Sequence, residues 1–198
     1  MKLNWAERWV VNNPSRVFQQ RMELHWLGRQ MSLKPGAQVL EVGCGRGAGA
    51  GLILKEFQLA AIHAMDLDLE MIRKAEEYLP PHQRKQVFML TGDVAHLPYR
   101  SDLFDAVFGF GVLHHVPDWR RGLTEIVRVL KPGGVYFVEE LYPTLYQNFI
   151  TRHILLHPEH DRFASSDLKA ALQGQRLEIE AAVELKAVGI LAVTVKKG

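Results

Sequence analysis

One cysteine, Cys44, stands in the whole chain, so no internal disulfide can form. A single thiol fits a reducing compartment. No apolar run approaches the ~20 residues that a membrane span requires. The first residues, MKLNWAERWVVNN, lack the apolar stretch of a signal peptide. The expected location is therefore cytoplasmic, without stable membrane insertion. Charge of one sign is also missing: the formal net charge is +2, with no dense basic cluster, so neither nucleic acid nor an anionic membrane is expected as a partner. Arg120-Arg121 reads as exposed helix surface. Internal repeats, low-complexity segments and linkers are absent too. What remains is 198 residues, 47% hydrophobic and 23% charged, the composition of one globular domain with a sizeable core.

Helix and strand signals alternate along the chain, which predicts an α/β fold with a largely parallel sheet. Pro14-Ser15 opens a helix to about Met31, whose apolar residues (Val17, Phe18, Met22, Leu24, Leu27, Met31) predict burial on two sides. Strands are expected over 37–42, 60–65, 86–90, 105–110 and 135–139. Helices are expected over 47–57, 68–78 (with Asp68 as N-cap) and 119–130, and Lys131-Pro132-Gly133-Gly134 reads as a turn. Later, Tyr142, Leu145, Tyr146, Phe149, Ile150, His153 and Ile154 recur at helical spacing until Pro158. A short helix capped by Ser165 or Ser166 and a strand pair over 177–185 and 188–195 close the chain.

The most informative stretch is Val39-Leu40-Glu41-Val42-Gly43-Cys44-Gly45-Arg46-Gly47-Ala48. A buried-strand pattern runs into a loop with glycine at alternate positions and then into a helix. That arrangement brings a ligand against bare backbone N–H groups at a helix N-terminus. Gly43, Gly45 and Ala48 also satisfy the dinucleotide pattern G-x-G-x-x-G/A, so the loop alone leaves the ligand open. Glu41 begins to separate the cases, because a carboxylate there suits a cationic or N–H-rich group and repels phosphate.

Further stations fall at strand ends. Asp66, 23 residues after Gly43, can accept both hydroxyls of a ribose. Thr91-Gly92-Asp93-Val94 offers a carboxylate to an adenine amino group. Gly111-Val112-Leu113-His114-His115-Val116-Pro117-Asp118 follows the fourth strand, and Arg128-Val129-Leu130-Lys131-Pro132-Gly133-Gly134 precedes the fifth.

Taken together, these motifs make residues 33–141 closely similar to the class I S-adenosylmethionine-dependent methyltransferases, in the small single-domain group acting on small molecules. The end of the chain, from Arg162-Phe163 to Lys196-Lys197, loosely resembles ubiquinone/menaquinone C-methyltransferases. The resemblance implies a doubly wound, Rossmann-like sheet of seven strands, mostly parallel, with an antiparallel last strand. It implies S-adenosylmethionine as cofactor and S-adenosylhomocysteine as product. Gly43, Cys44 and Gly45 would lie along the methionine part, with Glu41 supporting the loop or reaching the ammonium. Asp66 would hold the ribose and Leu67 would pack on adenine. Asp93 and Val94 would bind adenine, and carbonyls near Phe110 would accept from the ammonium. The partner would be a small-molecule methyl acceptor.

The acceptor side stays open at this level. His114 or His115 is a general-base candidate, since an unperturbed imidazole titrates near ~6.5. Equally, His115 lines the cofactor pocket while His114 packs or caps. Glu139, Glu140 and Tyr142 are expected just past strand five, with Glu139 the tentative catalytic member. His153, His157 and His160, with Glu159 and Asp161, have metal-like spacing, but Pro158 interrupts it, and no metal is expected. Residues 1–32 read as a helical cap containing Trp5, Trp9, Val10 and Val11, and residues 142–165 as a substrate cover or ordinary packing. A base-modifying DNA enzyme is disfavoured because Gly109-Phe110-Gly111-Val112 stands where an N/D-P-P-Y/F segment belongs. A lone cysteine argues against arsenite methylation, and no acidic cluster marks a metal-dependent catechol enzyme. Two other readings remain: a nicotinamide oxidoreductase, and a non-catalytic cofactor-binding or interaction protein of the same fold.

Overall fold

The computed structural model describes residues 13–146 and 161–198. Helix α1 (Pro14–Gln30) precedes β1 (Val39–Val42), α2 (Ala48–Glu56), β2 (Ile62–Asp66) and α3 (Leu69–Tyr78). A single turn, α4 (Pro81–Arg84), leads to β3 (Val87–Thr91), then β4 (Phe104–Phe110), α5 (Trp119–Val129) and β5 (Leu130–Leu141). The short α6 (Pro143–Tyr146), α7 (Ser165–Gly174), β6 (Leu177–Leu185) and β7 (Gly189–Lys196) complete the described chain.

The seven strands lie in the order β3-β2-β1-β4-β5-β7-β6. Strands β1 to β5 pair in parallel, and β7 runs antiparallel to both β5 and β6. This is the doubly wound sheet with one reversed strand. Alternation along the strands sends side chains to two cores. On one side Ala106, Phe108 and Phe137 pack with Leu24 and Leu27 of α1 and Ile53 and Leu54 of α2. On the other, Val107, Tyr136 and Val138 pack with Trp119, Leu123 and Ile126 of α5 and Leu168 and Leu172 of α7. Because both faces are covered, the central strands are largely apolar rather than alternating, with Glu41 in β1 and Glu139 and Glu140 in β5 as buried acids among them.

Two expectations need correction. Helix α1 is not buried on two sides: Phe18 and Met22 are exposed, while the buried face carries Gln20 and Glu23 beside Leu24 and Leu27. Glu23 goes inward beside Arg16 and Gln19 of the same helix, which in turn reach Glu139 of β5. Strand β5 starts at Leu130 rather than Val135. Leu130 pairs with Phe104 and Val135 with Ala106, so the Lys131–Gly134 stretch is accommodated as a bulge within the ladder. Gly133, at φ +74°, makes the reversal there that a side chain would strain. The expected helical run beyond Tyr146, residues 149–158, and Trp5, Trp9, Val10 and Val11 lie outside the described residues, as do His153, His157 and His160. Among the described residues no helix is long and apolar enough to cross a membrane.

Candidate functional site

The carboxyl ends of β1, β2, β3 and β4 open onto a cavity of about 370 Å³. That is the edge where parallel α/β sheets bind ligands. Gly43, Cys44 and Gly45 form its floor; Asp66, Leu67 and Met71 line one wall; Asp93, Val94 and Ala95 another. Phe110, Gly111, Val112 and His115 face them, and Arg16 and Gln20 of α1 close the side.

The glycine loop corrects one expectation: its N–H groups are not bare. Cys44 N–H donates to the Met65 carbonyl (2.9 Å), Gly45 N–H to Asp66 Oδ2 (2.9 Å) and Gly47 N–H to the Cys44 carbonyl (2.9 Å). These three donors hold the loop from within and are not open to a ligand. Gly43 takes φ +67°, and a Cβ there would stand 2.6 Å from Val112 Cγ2, so only glycine lets these two loops meet. The Cys44 thiol is buried, and desolvation followed by the Glu41 and Asp66 charges pushes it well above its ordinary range, making it a poor nucleophile.

Glu41 lies beneath the loop and not on the cavity wall. It accepts from Ala50 N–H, fills the space a Gly49 side chain would need, and leaves Oε2 without a hydrogen bond. Burial, reinforced by the Asp66 charge, pushes its carboxyl up to about 8. A raised acid binds its proton more tightly in the folded chain than in the unfolded one. Its contribution is complete below the ordinary value of 4.5 and is lost as pH rises toward 8. Glu41→Gln is therefore expected to flatten the decline in stability of the ligand-free protein over that window. Thermal melts across the window check this, and an unchanged slope overturns it.

Asp66 ends β2 with both oxygens engaged, Oδ2 by Gly45 N–H and Oδ1 by Asp68 N–H (2.9 Å each). Each oxygen retains a second lone pair, so two hydroxyls can still donate to it. Burial raises this carboxyl, against the opposing pull of the Asp68, Gly45 and Leu67 N–H groups. Asp93 caps the Val94–His96 turn through Ala95 N–H (2.9 Å) and also lines the cavity. Leu67 is half-exposed there and adds apolar surface to the lining.

The two histidines separate. His115 is on the cavity wall. His114 is buried behind it, its Nδ1 2.7 Å from Glu140 Oε2 and its ring packed between His115 and Tyr146. Glu139 and Glu140 lie within β5 rather than past it, and pleating sends them to opposite faces. Glu139 is the counter-charge of Arg16, which forks onto both its oxygens, with Gln19 3.3 Å from Oε1. Glu23, also beside Arg16, is raised to about 7 by burial and by the Glu139 charge. Tyr142 turns away to donate to Glu184 (2.7 Å).

Arg16, Gln20, Met65 and Met71 were missed by sequence reasoning. The usable signal lay in α1: Arg16, Gln20 and Glu23 share one helix face, at steps of four and three. A polar stripe on the side that also carries Leu24 and Leu27 marks a helix facing a charged site.

Comparison with known proteins fits this geometry. A methyltransferase domain family model matches residues 40–138, half of the chain. Sterol 24-C-methyltransferase erg6 of Schizosaccharomyces pombe is 35% identical over 132 residues, covering 65% of this chain and 34% of the relative. The phthiotriol/phenolphthiotriol dimycocerosates methyltransferase of Mycobacterium tuberculosis is 35% identical over 108 residues, 54% of this chain and 39% of the relative. The chain thus spans little more than a third of the length of these curated relatives. An S-adenosylmethionine-dependent methyltransferase from Mesorhizobium loti superposes with a TM-score of 0.71 at 15% identity, over 86% of this chain and 96% of that one, which speaks to the fold. The sheet order, the site at its carboxyl edge and the family match together place this chain in the methyltransferase domain family.

Proposed function

We propose that the cavity binds S-adenosylmethionine and that the chain transfers its methyl group to a small, apolar acceptor. The observation that carries this is the Asp66 carboxylate: it stands at the mouth of the glycine loop and has already taken the loop's Gly45 N–H. A diphosphate finds a negative charge and a Gly45 N–H already taken, whereas a ribose finds acceptors. The residues present fit the cofactor. Asp66 takes the ribose hydroxyls, Leu67 packs on adenine, and Asp93 with Val94 receives the adenine edge. Gly43, Cys44, Gly45 and the Phe110 carbonyl take the methionine portion, with Arg16 as the cationic wall for its carboxylate. Glu41 supports the loop from below.

Bound there, S-adenosylmethionine supplies an already activated methyl group, so positioning is the protein's main task. Holding the acceptor in a near-attack arrangement is worth roughly 7–11 kcal/mol. His115, the histidine on the wall, is placed to take a proton where the acceptor must lose one. An apolar acceptor agrees with relatives named for sterols and for phthiotriol dimycocerosates. A cytoplasmic location agrees with the single buried thiol.

Calorimetric titration of ligand-stripped protein with S-adenosylmethionine and S-adenosylhomocysteine tests the reading. Micromolar binding of both is expected. Absence of binding by a folded protein overturns it.

A further inference from the structure

The segment after β4 carries an arrangement that cofactor binding alone does not explain. Gly111 N–H still belongs to the sheet, donating to the Glu139 carbonyl (2.8 Å). The next three N–H groups turn inward and converge on one carboxylate. Val112 N–H (3.1 Å) and Leu113 N–H (2.7 Å) reach Glu140 Oε1, and His114 N–H (3.1 Å) reaches Oε2. His114 Nδ1 adds a fourth contact at 2.7 Å. Successive N–H groups converging in this way make a concavity for an anion. Here the anion is a side chain from the neighbouring strand, and it is 0% exposed. Burying a carboxylate is costly unless its oxygens are filled, and four donors fill them.

The carbonyl side of the same segment is held as well. Arg162 donates through Nη1 to the His114 and Val116 carbonyls (3.1 and 3.0 Å) and through Nη2 to the Pro117 carbonyl (2.9 Å). One carboxylate and one guanidinium grip the segment from opposite sides. What it carries faces the cavity: Val112, which meets Gly43, and His115, whose ring lies 4.2 Å from that of His114.

We infer that Glu140 is a positioning residue. It fixes residues 111–115 against the cavity and makes Nδ1 the protonated nitrogen of His114, while Arg162 clamps the carbonyl side. It does not touch the ligand, and its oxygens are too fully occupied to act as a base. The inference rests on the cofactor reading above for its functional consequence.

The test is Glu140→Gln. The carboxamide keeps an oxygen for Val112 and Leu113, but places an NH2 against His114 N–H and Nδ1. The ring must then accept at Nδ1 and carry its proton on Nε2. Three results are expected: the 15N signals of labelled His114 change tautomer, amide exchange speeds up at Val112–His114, and S-adenosylhomocysteine binds at least tenfold more weakly. Arg162→Lys, which keeps the charge but loses the fork, is expected to weaken binding with the His114 tautomer unchanged, and it serves if Glu140→Gln fails to fold. Wild-type affinity in both variants, or an unchanged tautomer in Glu140→Gln, overturns the inference. Failure of the wild type to bind overturns the cofactor reading instead. The tautomer and exchange measurements need no ligand and still decide what Glu140 holds.

Discussion

Asp66→Ala is expected to weaken S-adenosylmethionine binding by about a hundredfold while the protein stays folded. Hydrogen bonds to a charged acceptor are worth roughly 1.5–3 kcal/mol each, and a ribose offers two hydroxyls. A loss of about 3 kcal/mol corresponds to two decades in the dissociation constant. The same carboxylate also receives Gly45 N–H and Asp68 N–H, so its removal loosens the glycine loop as well as the ribose seat. Global stability should change little, because a buried carboxyl raised by desolvation already costs the folded state something. Calorimetry gives the affinity and a thermal melt gives the fold. Wild-type affinity in a folded Asp66→Ala protein would remove the ribose assignment.

The largest effect on stability is expected at Trp119. Its side chain is fully buried at the start of α5, packs edge-on against Phe163 at 4.7 Å between ring centroids, and lies under the Arg120 guanidinium. Its Nε1–H donates to the Asp161 carbonyl at 2.9 Å. Trp119→Ala should cost about 3–5 kcal/mol, a large share of the roughly 5–15 kcal/mol that holds a domain folded. The melting temperature should fall by roughly 10 °C. Trp119→Phe keeps an aromatic ring against Phe163 but loses the donor and part of the buried ring volume, so a smaller cost of about 1–3 kcal/mol is expected. Equal losses in the two variants would show that the hydrogen bond, and not the packing, dominates.

The strands, their order of appearance and the edge that carries the site were legible in the sequence because each depends on local patterning. Glu41, Asp66 and Asp93 could be placed because strand ends are marked by glycine and acid. The antiparallel strand pair was legible from its turn near Ala187. What escaped depends on pairing between distant segments. Nothing local to Glu140 says that three N–H groups some 26 to 28 residues earlier will converge on it. Nothing local to Arg16 announces Glu139, 123 residues away. The start of β5 was misplaced because Pro132-Gly133-Gly134 is turn chemistry wherever it occurs, and only the ladder with β4 reveals a bulge. The glycine loop was read as open because glycine spacing reports backbone freedom and not which donors the fold itself has used.

The sheet order has a consequence for the chain as it is made. Strand β7 lies between β5 and β6, so of these seven strands the one that leaves the ribosome last fills an interior place. Until Gly189–Lys196 emerge, β5 is a bare edge with Tyr136, Phe137 and Val138 along it, and β6 has no neighbour on either side. An exposed apolar edge of that kind is a template for pairing with another chain. A nascent chain stalled before Gly189 should therefore hold the glycine loop and its acids and still be prone to aggregate, with its last strand acting as the seal on the sheet.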